Sequence, residues 1–413
     1  MDFNDSPQEA EFRLKAKAWL SENADLKKED SLASFNLITS EETPENFDSA
    51  HAWQQKRAAD GWIGITWPKE FGGQSGSVME DIIFRQELAN YETPPDLFFL
   101  GVGLAGPTIM THGTEQQKKH YLPRILNGSD IWCQLFSEPG AGSDLAGLRT
   151  KAVKDGDDWI INGQKVWTSG GHYSDLGMLV TRTDFDVPKH KGLTYFILDM
   201  KTPGVEARPI KQITGGANFN EVFFTDVRIS DSQRLGSVGG GWGVALTTLM
   251  NERLSLSGGF GDPSLIALEL QKLAKVVYIN GKPASEDSVV RQKIAGYYSR
   301  LKAMDLSVKR TLSVLSGGGI PGAESSIVKL ETGLLLQEVA AFAMELQNGQ
   351  GIEYWGQSQH NNGFWQELYF LIPAMRIGGG TDEIQRNIIG ERVLGLPPEQ
   401  RVDKGIAYKD IPN

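Results

Sequence analysis

Cysteine is all but missing from this chain: Cys133 stands alone among 413 residues. An intrachain disulfide is therefore impossible, and a multi-cysteine metal site is excluded. The six histidines (51, 112, 120, 172, 190 and 360) are scattered and show neither HExxH nor HxH spacing. No metal site is expected. Long apolar runs are also lacking, and none approaches the ~20 residues that a membrane-spanning helix requires. The N-terminal MDFNDSPQEAEFRLKAKAWLSENAD is acidic and amphipathic, without the apolar core of a signal peptide or the Arg-rich character of a transit peptide. A cytoplasmic protein is expected. Positive charge is in deficit, with 41 Lys and Arg against 52 Asp and Glu, a net charge of −11. An acidic chain with no Lys/Arg run repels nucleic acid, so nucleic-acid partners are not expected. Internal repeats and low-complexity tracts are absent too.

What is present is an ordinary globular composition, 40% hydrophobic and 23% charged, in a chain too long for one core. Three textures follow one another. Residues 1–125 carry apolar residues at helical spacing in EFRLKAKAWL, MEDIIFRQELANY and EQQKKHYLPRIL, which predicts an N-terminal all-α domain. Residues 126–236 carry short β-rich runs between turn signals: IWCQLF, DDWIING, QKVWTS, LGMLVTR, LTYFILDM and NEVFFTDVRI. Their spacing predicts an all-β domain, a small barrel or sandwich, with Asn162-Gly163 as a hairpin turn. After the glycine run 239–241, long helical patterns predict a C-terminal all-α domain over 237–413, whose last ten or so residues read as a loose tail.

Gly101-Val-Gly103-Leu-Ala-Gly106 matches the GxGxxG dinucleotide fingerprint, which needs a strand before it and a helix after it. It lies instead in a helical region and runs into Pro107, so close helix packing against small residues is the better account. More informative is SEPGAGSD, Ser137 to Asp144, which follows a predicted strand. Its glycines let a backbone approach a ligand closely, with hydroxyl and carboxylate groups at the edge. Next comes GQKVWTSGG (163–171), where Trp167 is either a core residue or a flat face for stacking on a planar cofactor.

These two segments resemble the acyl-CoA dehydrogenase family, in which EPGAGSD and a following W-x-T/S line the flavin. The similarity extends to GWIGITWPKEFGG near the N-terminus, FNEVFFTDVRIS (219–230), GGGWGVALTTLMNER (239–253) and GGTDEIQRNIIGERVLG (379–395). The resemblance implies the α–β–α acyl-CoA dehydrogenase fold, closed by a C-terminal four-helix bundle. It implies non-covalent FAD, an acyl-CoA substrate and an electron-transfer flavoprotein as acceptor. Phe136, Ser137 and Ser143 would meet flavin and substrate, Trp167 and Ser169 would border the isoalloxazine, and Thr381 with Glu383 would contact the FAD backbone. NGQG (348–351), Gly349 included, resembles the loop beside the adenine end of FAD, often supplied across a subunit interface.

The chemistry implied is removal of a proton from Cα of the thioester and of a hydride from Cβ to flavin N5. Such a step needs a carboxylate base raised from about 4.3 toward 6–7 in an apolar pocket, and hydrogen bonds to the thioester oxygen as enolate character develops. Many members carry that base in a Y-E-G-T motif. Here the matching stretch is Gly378-Gly379-Gly380-Thr381, with Gly379 in place of the Glu. Isovaleryl-CoA and long-chain types place the Glu on the helix after the β-domain, before an Arg, and Glu252-Arg253 matches that pattern. Glu252 would be the base, Gly379 would vacate space for it, and Arg253 would orient CoA, since a guanidinium does not deprotonate. The relocated base favours branched, cyclic or bulky acyl groups. A second departure is the absent R-x-x-F-G, whose Arg meets the FAD pyrophosphate of a neighbouring subunit; the region reads INGKPASEDSVVRQKIAG. Either Lys282 or Arg291 compensates, or a related chain helps to bind FAD. The assembly is thus a homotetramer, a dimer of dimers, or a heterotetramer, and a non-catalytic partner subunit is the alternative reading.

Overall fold

The computed structural model describes residues 5–27, 43–256, 264–316, 319, 322–353 and 363–411. By its internal contacts the chain forms two compact units. One comprises residues 1–37, 85–91 and 257–399, and the other residues 38–84, 92–256 and 400–413.

The first unit is helical. Helix α1 (Pro7–Asn23) opens on a capping box in which Ser6 and Glu9 satisfy each other's backbone N–H groups. Its Arg13 pairs with Asp5 and with Glu87. Helices α7 (Ser264–Val276), α8 (Ser288–Ser316), α9 (Ser325–Leu346) and α10 (Phe364–Met375) share one apolar core. Leu270, Leu301, Leu335, Val339 and Trp365 lie in it. A short helix, α11 (Asp382–Ile388), follows a glycine-rich turn. Helices α7 and α10 lie where the sequence pattern showed no separate helix. α10, FWQELYFLIPAM, buries Trp365, Leu368, Leu371 and Ile372 at helical spacing, but Tyr369, Phe370 and Pro373 on its other sides blur that period in the sequence.

The second unit holds the sheet. Helices α2 (Pro44–Ala59), α4 (Gly106–His112), α5 (Glu115–Leu126) and α6 (Gly241–Leu256) accompany eight strands, and α3 (Val78–Leu88) has residues in each unit. These are β1 (Trp132–Leu135), β2 (Lys151–Asp155), β3 (Asp158–Ser169), β4 (Leu176–Arg182), β5 (Leu193–Asp199), β6 (Val205–Ile210), β7 (Phe219–Ser230) and β8 (Arg234–Leu235). Their order is β6-β7-β3-β2-β4-β5-β8, with β1 parallel to β4. β6 contains Pro209 and forms one edge, the place where a missing backbone donor is tolerated. The chain is helical toward both ends with a mixed β-sheet between, the α–β–α order that the resemblance implies.

Two local readings are corrected and a third, the small-residue packing of GxGxxG, holds. Asn162-Gly163 is not a hairpin turn. It is a bulge inside the continuous strand β3, which shifts register against β7 between Ile161 and Gly163. The Asn162 side chain donates to Asp226 and accepts the Asp226 N–H, so the asparagine ties two strands rather than turning one. A Cβ at Gly163 would sit 2.6 Å from the Thr150 hydroxyl, which is why glycine stands there. The true hairpin joins β2 to β3 through Gly156-Asp157, with Asp155 opposite Asp158. The loose tail is also absent: residues 401–411 return to the sheet unit, where Tyr408 N–H donates to Val187 O and Lys409 N–H to Phe185 O. GxGxxG behaves as small-residue packing. Residues 101–105 form a single π-helical turn, and Gly106 lies hard against the Trp67 ring.

Candidate active site

Loop 137–144 is built by its own hydrogen bonds. Glu138 and Ala141 exchange N–H···O bonds of 3.1 and 3.0 Å, leaving Pro139-Gly140 at the tip. A Cβ added to Gly140 or Gly142 would meet no atom within 4 Å, so this rim is open to a ligand. Beneath it lies an ion pair that the sequence reading missed. Lys165 is 0% exposed, and its ammonium donates to Glu138 (2.8 Å) and to the Phe136 carbonyl (2.9 Å). The Glu138 carboxylate also accepts the N–H groups of Arg149 (2.6 Å) and Thr150 (2.9 Å). Burial pushes the Glu138 carboxyl up, but Lys165 and these hydrogen bonds outweigh it and hold the group below its ordinary range. One buried pair thus pins the loop to β3. The sequence shows only a Glu in one motif and a Lys in the other, with no local pattern that pairs them.

Two residues beyond Lys165 the strand does something unusual. Trp167 has φ +61°, a left-handed conformation that is an outlier for a bulky side chain. It occupies a second register shift, between Lys165 and Thr168. Its indole is 60% exposed, with the Phe219 ring edge-on at 6.2 Å. A large apolar ring held out of the core at a backbone cost of about 1–2 kcal/mol is the arrangement a stacking ligand would exploit. Ser169 is exposed beside it, Ser143 is exposed on the loop, Ser137 is half-buried, and Phe136 is buried. Val166 N–H donates to Ser137 O at 2.9 Å, so the structure brings the loop and the Trp167–Ser169 segment together. These residues fit a flat aromatic cofactor: an exposed indole, hydroxyls and an open backbone rim, all on rigid support.

Glu252 lies in the same unit. On α6 the buried positions are Gly241, Val244, Ala245 and Thr248, and helical spacing puts Glu252 on that stripe, one turn past Thr248. The carboxylate residue is half-buried rather than on the solvent face. A line of contacts runs from loop to helix. The Phe136 ring meets Tyr195 edge-on at 5.9 Å, and the Tyr195 hydroxyl lies 3.2 Å from Thr248 Oγ1. Thr248 in turn lies 3.0 Å from Thr108 Oγ1, and Thr247 hydrogen-bonds His112 at 2.8 Å. Burial holds the His112 imidazole below its usual range. The side chain of Arg253 lies outside the described residues.

The remaining predicted residues belong to the helical unit. Gly379 is at φ +67° and exposed, and a Cβ there would meet no atom within 4 Å. Thr381 caps α11 by accepting the Ile384 N–H, and Glu383 is exposed on its first turn. Arg376 grips Asp382 at 2.7 Å, Gln385 donates to Gly379 O at 3.0 Å, and Lys329 donates to Gly380 O. Gly349 lies exposed on a separate 3₁₀ turn, Asn348–Ile352. Where R-x-x-F-G is absent, residues 278–283 form a tight hairpin with Asn280 and Gly281 at φ +51° and +77°, the left-handed pair that a type I′ turn demands. Lys282 is exposed on it, and Arg291 folds back to donate to Ser285 O at 3.3 Å. Among the described residues no group of three or more His, Cys, Asp or Glu could hold a metal ion, and no helix is long and apolar enough to cross a membrane.

Comparison with known proteins converges on one family. Profiles of the acyl-CoA dehydrogenase N-terminal, middle and C-terminal domains match residues 36–129, 133–227 and 239–394. Acyl-CoA dehydrogenase IpdE1 of Mycobacterium tuberculosis is 38% identical over 399 residues, covering 95% of this chain and 98% of that protein. Two solved structures are each 29% identical and cover 97% of this chain and all of the other. They are the Tcur3481-Tcur3483 steroid ACAD (TM-score 0.80) and the ChsE4-ChsE5 complex of M. tuberculosis (TM-score 0.77).

Proposed function

This chain belongs to the acyl-CoA dehydrogenase family of flavoprotein oxidoreductases, and from that membership we propose that it binds FAD and desaturates a bulky acyl-CoA with Glu252 as its base. Residues 1–125, 126–236 and 237–413 are read as its N-terminal, middle and C-terminal domains. Bound FAD supplies the two-electron acceptor for the Cβ hydrogen. Trp167 borders the flavin ring, Ser137 and Ser169 offer hydroxyls to its polar edge, and Phe136 and Ser143 complete the loop around ring and substrate. Thr381, Glu383 and Gly349 hold the rest of FAD. The observation that carries this reading is the exposed, left-handed Trp167 joined to the open loop 137–144.

Glu252 takes the Cα proton, leaving the electron pair to flow toward Cβ as the enolate character is relieved. Its half-buried place on the core-facing stripe of α6 supports the role, because a base must sit off the solvent face to meet a substrate carbon. Gly379 leaves space beside the substrate and Arg253 orients CoA. The relocated base and the similarity to a steroid ACAD favour a branched, cyclic or polycyclic acyl group. Electrons pass on to an electron-transfer flavoprotein.

The decisive measurement is the visible spectrum under anaerobic titration with a panel of acyl-CoAs. The wild-type flavin should bleach with one class of bulky thioester. Glu252→Gln should keep its FAD and lose the bleaching; bleaching at the wild-type rate would remove Glu252 from the role of base.

A second reading rests on one observation, the I′ hairpin at 278–283 in place of the pyrophosphate-binding motif. On it the chain is one half of a heteromer and its related partner completes the FAD site, which suits its similarity to the two-component Tcur3481-Tcur3483 and ChsE4-ChsE5 proteins.

A further inference from the structure

Immediately after the flavin-loop motif the backbone makes a turn whose carbonyls are held by groups remote in sequence. Arg182 is 0% exposed, and its guanidinium donates to the carbonyls of Ala146 (2.5 Å), Leu148 (3.0 Å) and Lys189 (3.1 Å). The carbonyl between the first two, that of Gly147, accepts the Tyr408 hydroxyl at 2.8 Å. Three successive carbonyls, 146 to 148, are therefore occupied by one arginine and one tyrosine. The same tyrosine covers the guanidinium, whose central carbon lies 3.5 Å from the ring centroid.

Tyr408 is itself anchored through its backbone. Its N–H donates to Val187 O at 2.8 Å, Lys409 N–H donates to Phe185 O at 3.0 Å, and Ala407 bridges to Pro188. Charge ties the same pieces together a second time. Lys189 pairs with Asp144, the last residue of SEPGAGSD, at 2.8 Å, and also with Asp403. Segment 401–411 thus reaches the turn directly through the Tyr408 hydroxyl, 261 positions away, and indirectly by its ring on Arg182 and the Asp403 carboxylate on Lys189. Besides these donors the turn is held by two backbone bonds, Gly147 N–H to Asp144 O and Leu148 N–H to Leu145 O, and without Arg182 and Tyr408 three of its carbonyls would lose their protein partners.

We propose that residues 401–411 form a clamp, with Tyr408 and Arg182 as positioning residues, that holds turn 144–148 and so keeps loop 137–143 in the shape that receives the flavin. Tyr408 does not touch the ligand; it acts through Arg182 and the Gly147 carbonyl. The clamp rests on the flavin reading for the identity of the ligand, but its effect on the turn stands apart from that reading.

The test uses the full chain with Tyr408→Ala and Tyr408→Phe, read by amide hydrogen exchange and by equilibrium titration with FAD. Tyr408→Ala removes a desolvated cation–π contact and a hydrogen bond, so exchange across 144–150 should rise about tenfold or more while β4 and β5 stay protected. FAD affinity should fall by about the same factor, since the loop must then be ordered on binding. Tyr408→Phe keeps the ring over Arg182 and should show a smaller change in both. Unchanged exchange at 144–150 would overturn the clamp, and so would faster exchange there with wild-type FAD affinity. Loss of protection throughout the sheet would also overturn it, since the segment would then serve global stability alone. Should Tyr408→Ala fail to fold, Asp403→Asn removes only the carboxylate charge that faces Lys189 and is judged by the same two readouts. If the wild-type chain takes up no FAD, the flavin reading is what fails, and exchange at 144–150 alone decides the clamp.

Discussion

At the scale of single residues, the buried pair Glu138–Lys165 carries a sharper claim than any residue the motifs advertise. Lys165 has no solvent exposure, and its removal leaves an interior carboxylate with backbone donors but without the cation hydrogen-bonded to it. Lys165→Met should destabilise the protein by about 3–5 kcal/mol in denaturant unfolding. A loss under 1 kcal/mol would mean that the backbone donors suffice. The pH dependence has a definite sign. The Glu138 carboxyl is held below its ordinary value of 4.5, so its stabilising contribution is full above that value and is lost as pH falls toward the folded-state value. Stability should therefore drop more steeply below about pH 4.5 in the wild type than in Glu138→Gln. Trp167 makes the complementary claim. Relieving its left-handed backbone with glycine gains about 1–2 kcal/mol, while glycine's extra chain entropy costs about 0.5–1 kcal/mol. Trp167→Gly should thus leave the melting temperature of the FAD-free protein nearly unchanged while weakening FAD retention severalfold. A collapse in melting temperature would make the indole a core residue instead.

At the scale of elements, legibility followed the physics of each segment. β1, β4, β5 and β7 were readable because they are apolar runs bounded by turns, and α8 and α9 because their apolar stripes repeat at helical spacing. β2 and β6 were not, since KAVKD and VEARPI are polar strands on exposed parts of the sheet. Asn162-Gly163 misled because one dipeptide serves two purposes: its left-handed tolerance suits a hairpin tip and a bulge equally, and only the cross-strand bond to Asp226 decides between them. The same dipeptide does turn a hairpin at Asn280-Gly281. Site residues on motifs were legible as types, whereas the ion pair and the tail contact, formed between distant segments, had no local pattern to read. The glycine turn before α11 gives the element-scale prediction. No atom lies within 4 Å of a Cβ built on Gly379, so Gly379→Glu meets no crowding inside its own unit. Its cost in stability should be the backbone term alone, about 1–2 kcal/mol for φ +67°. Turnover should fall because a second carboxylate enters the proposed pocket, and unchanged kinetics would show that the position is remote from substrate.

At the scale of the whole molecule, the question is whether this chain holds FAD unaided. The family's flavin-side segments, SEPGAGSD and GQKVWTSGG, are intact and are rigidly joined through Lys165 and Val166. On the proposed FAD site the departure falls on the pyrophosphate side, where an exposed I′ hairpin stands in place of R-x-x-F-G and neither Lys282 nor Arg291 presents a preformed cluster: the one is exposed on the hairpin, the other bonded to Ser285 O. A pyrophosphate carries two negative charges, and a charge-assisted bond to each from an arginine contributes about 1.5–3 kcal/mol. Losing one such contact without replacement weakens binding by about tenfold to a hundredfold. The chain expressed alone should therefore purify with substoichiometric FAD, and co-expression with a related subunit that carries the arginine should restore full occupancy, read as the ratio of flavin to protein absorbance. Full occupancy in the chain alone would show that the hairpin face is compensated within a homomer. An absorbance ratio that stays low even with the related subunit would instead indicate that loop 137–144 and Trp167 do not by themselves retain a flavin.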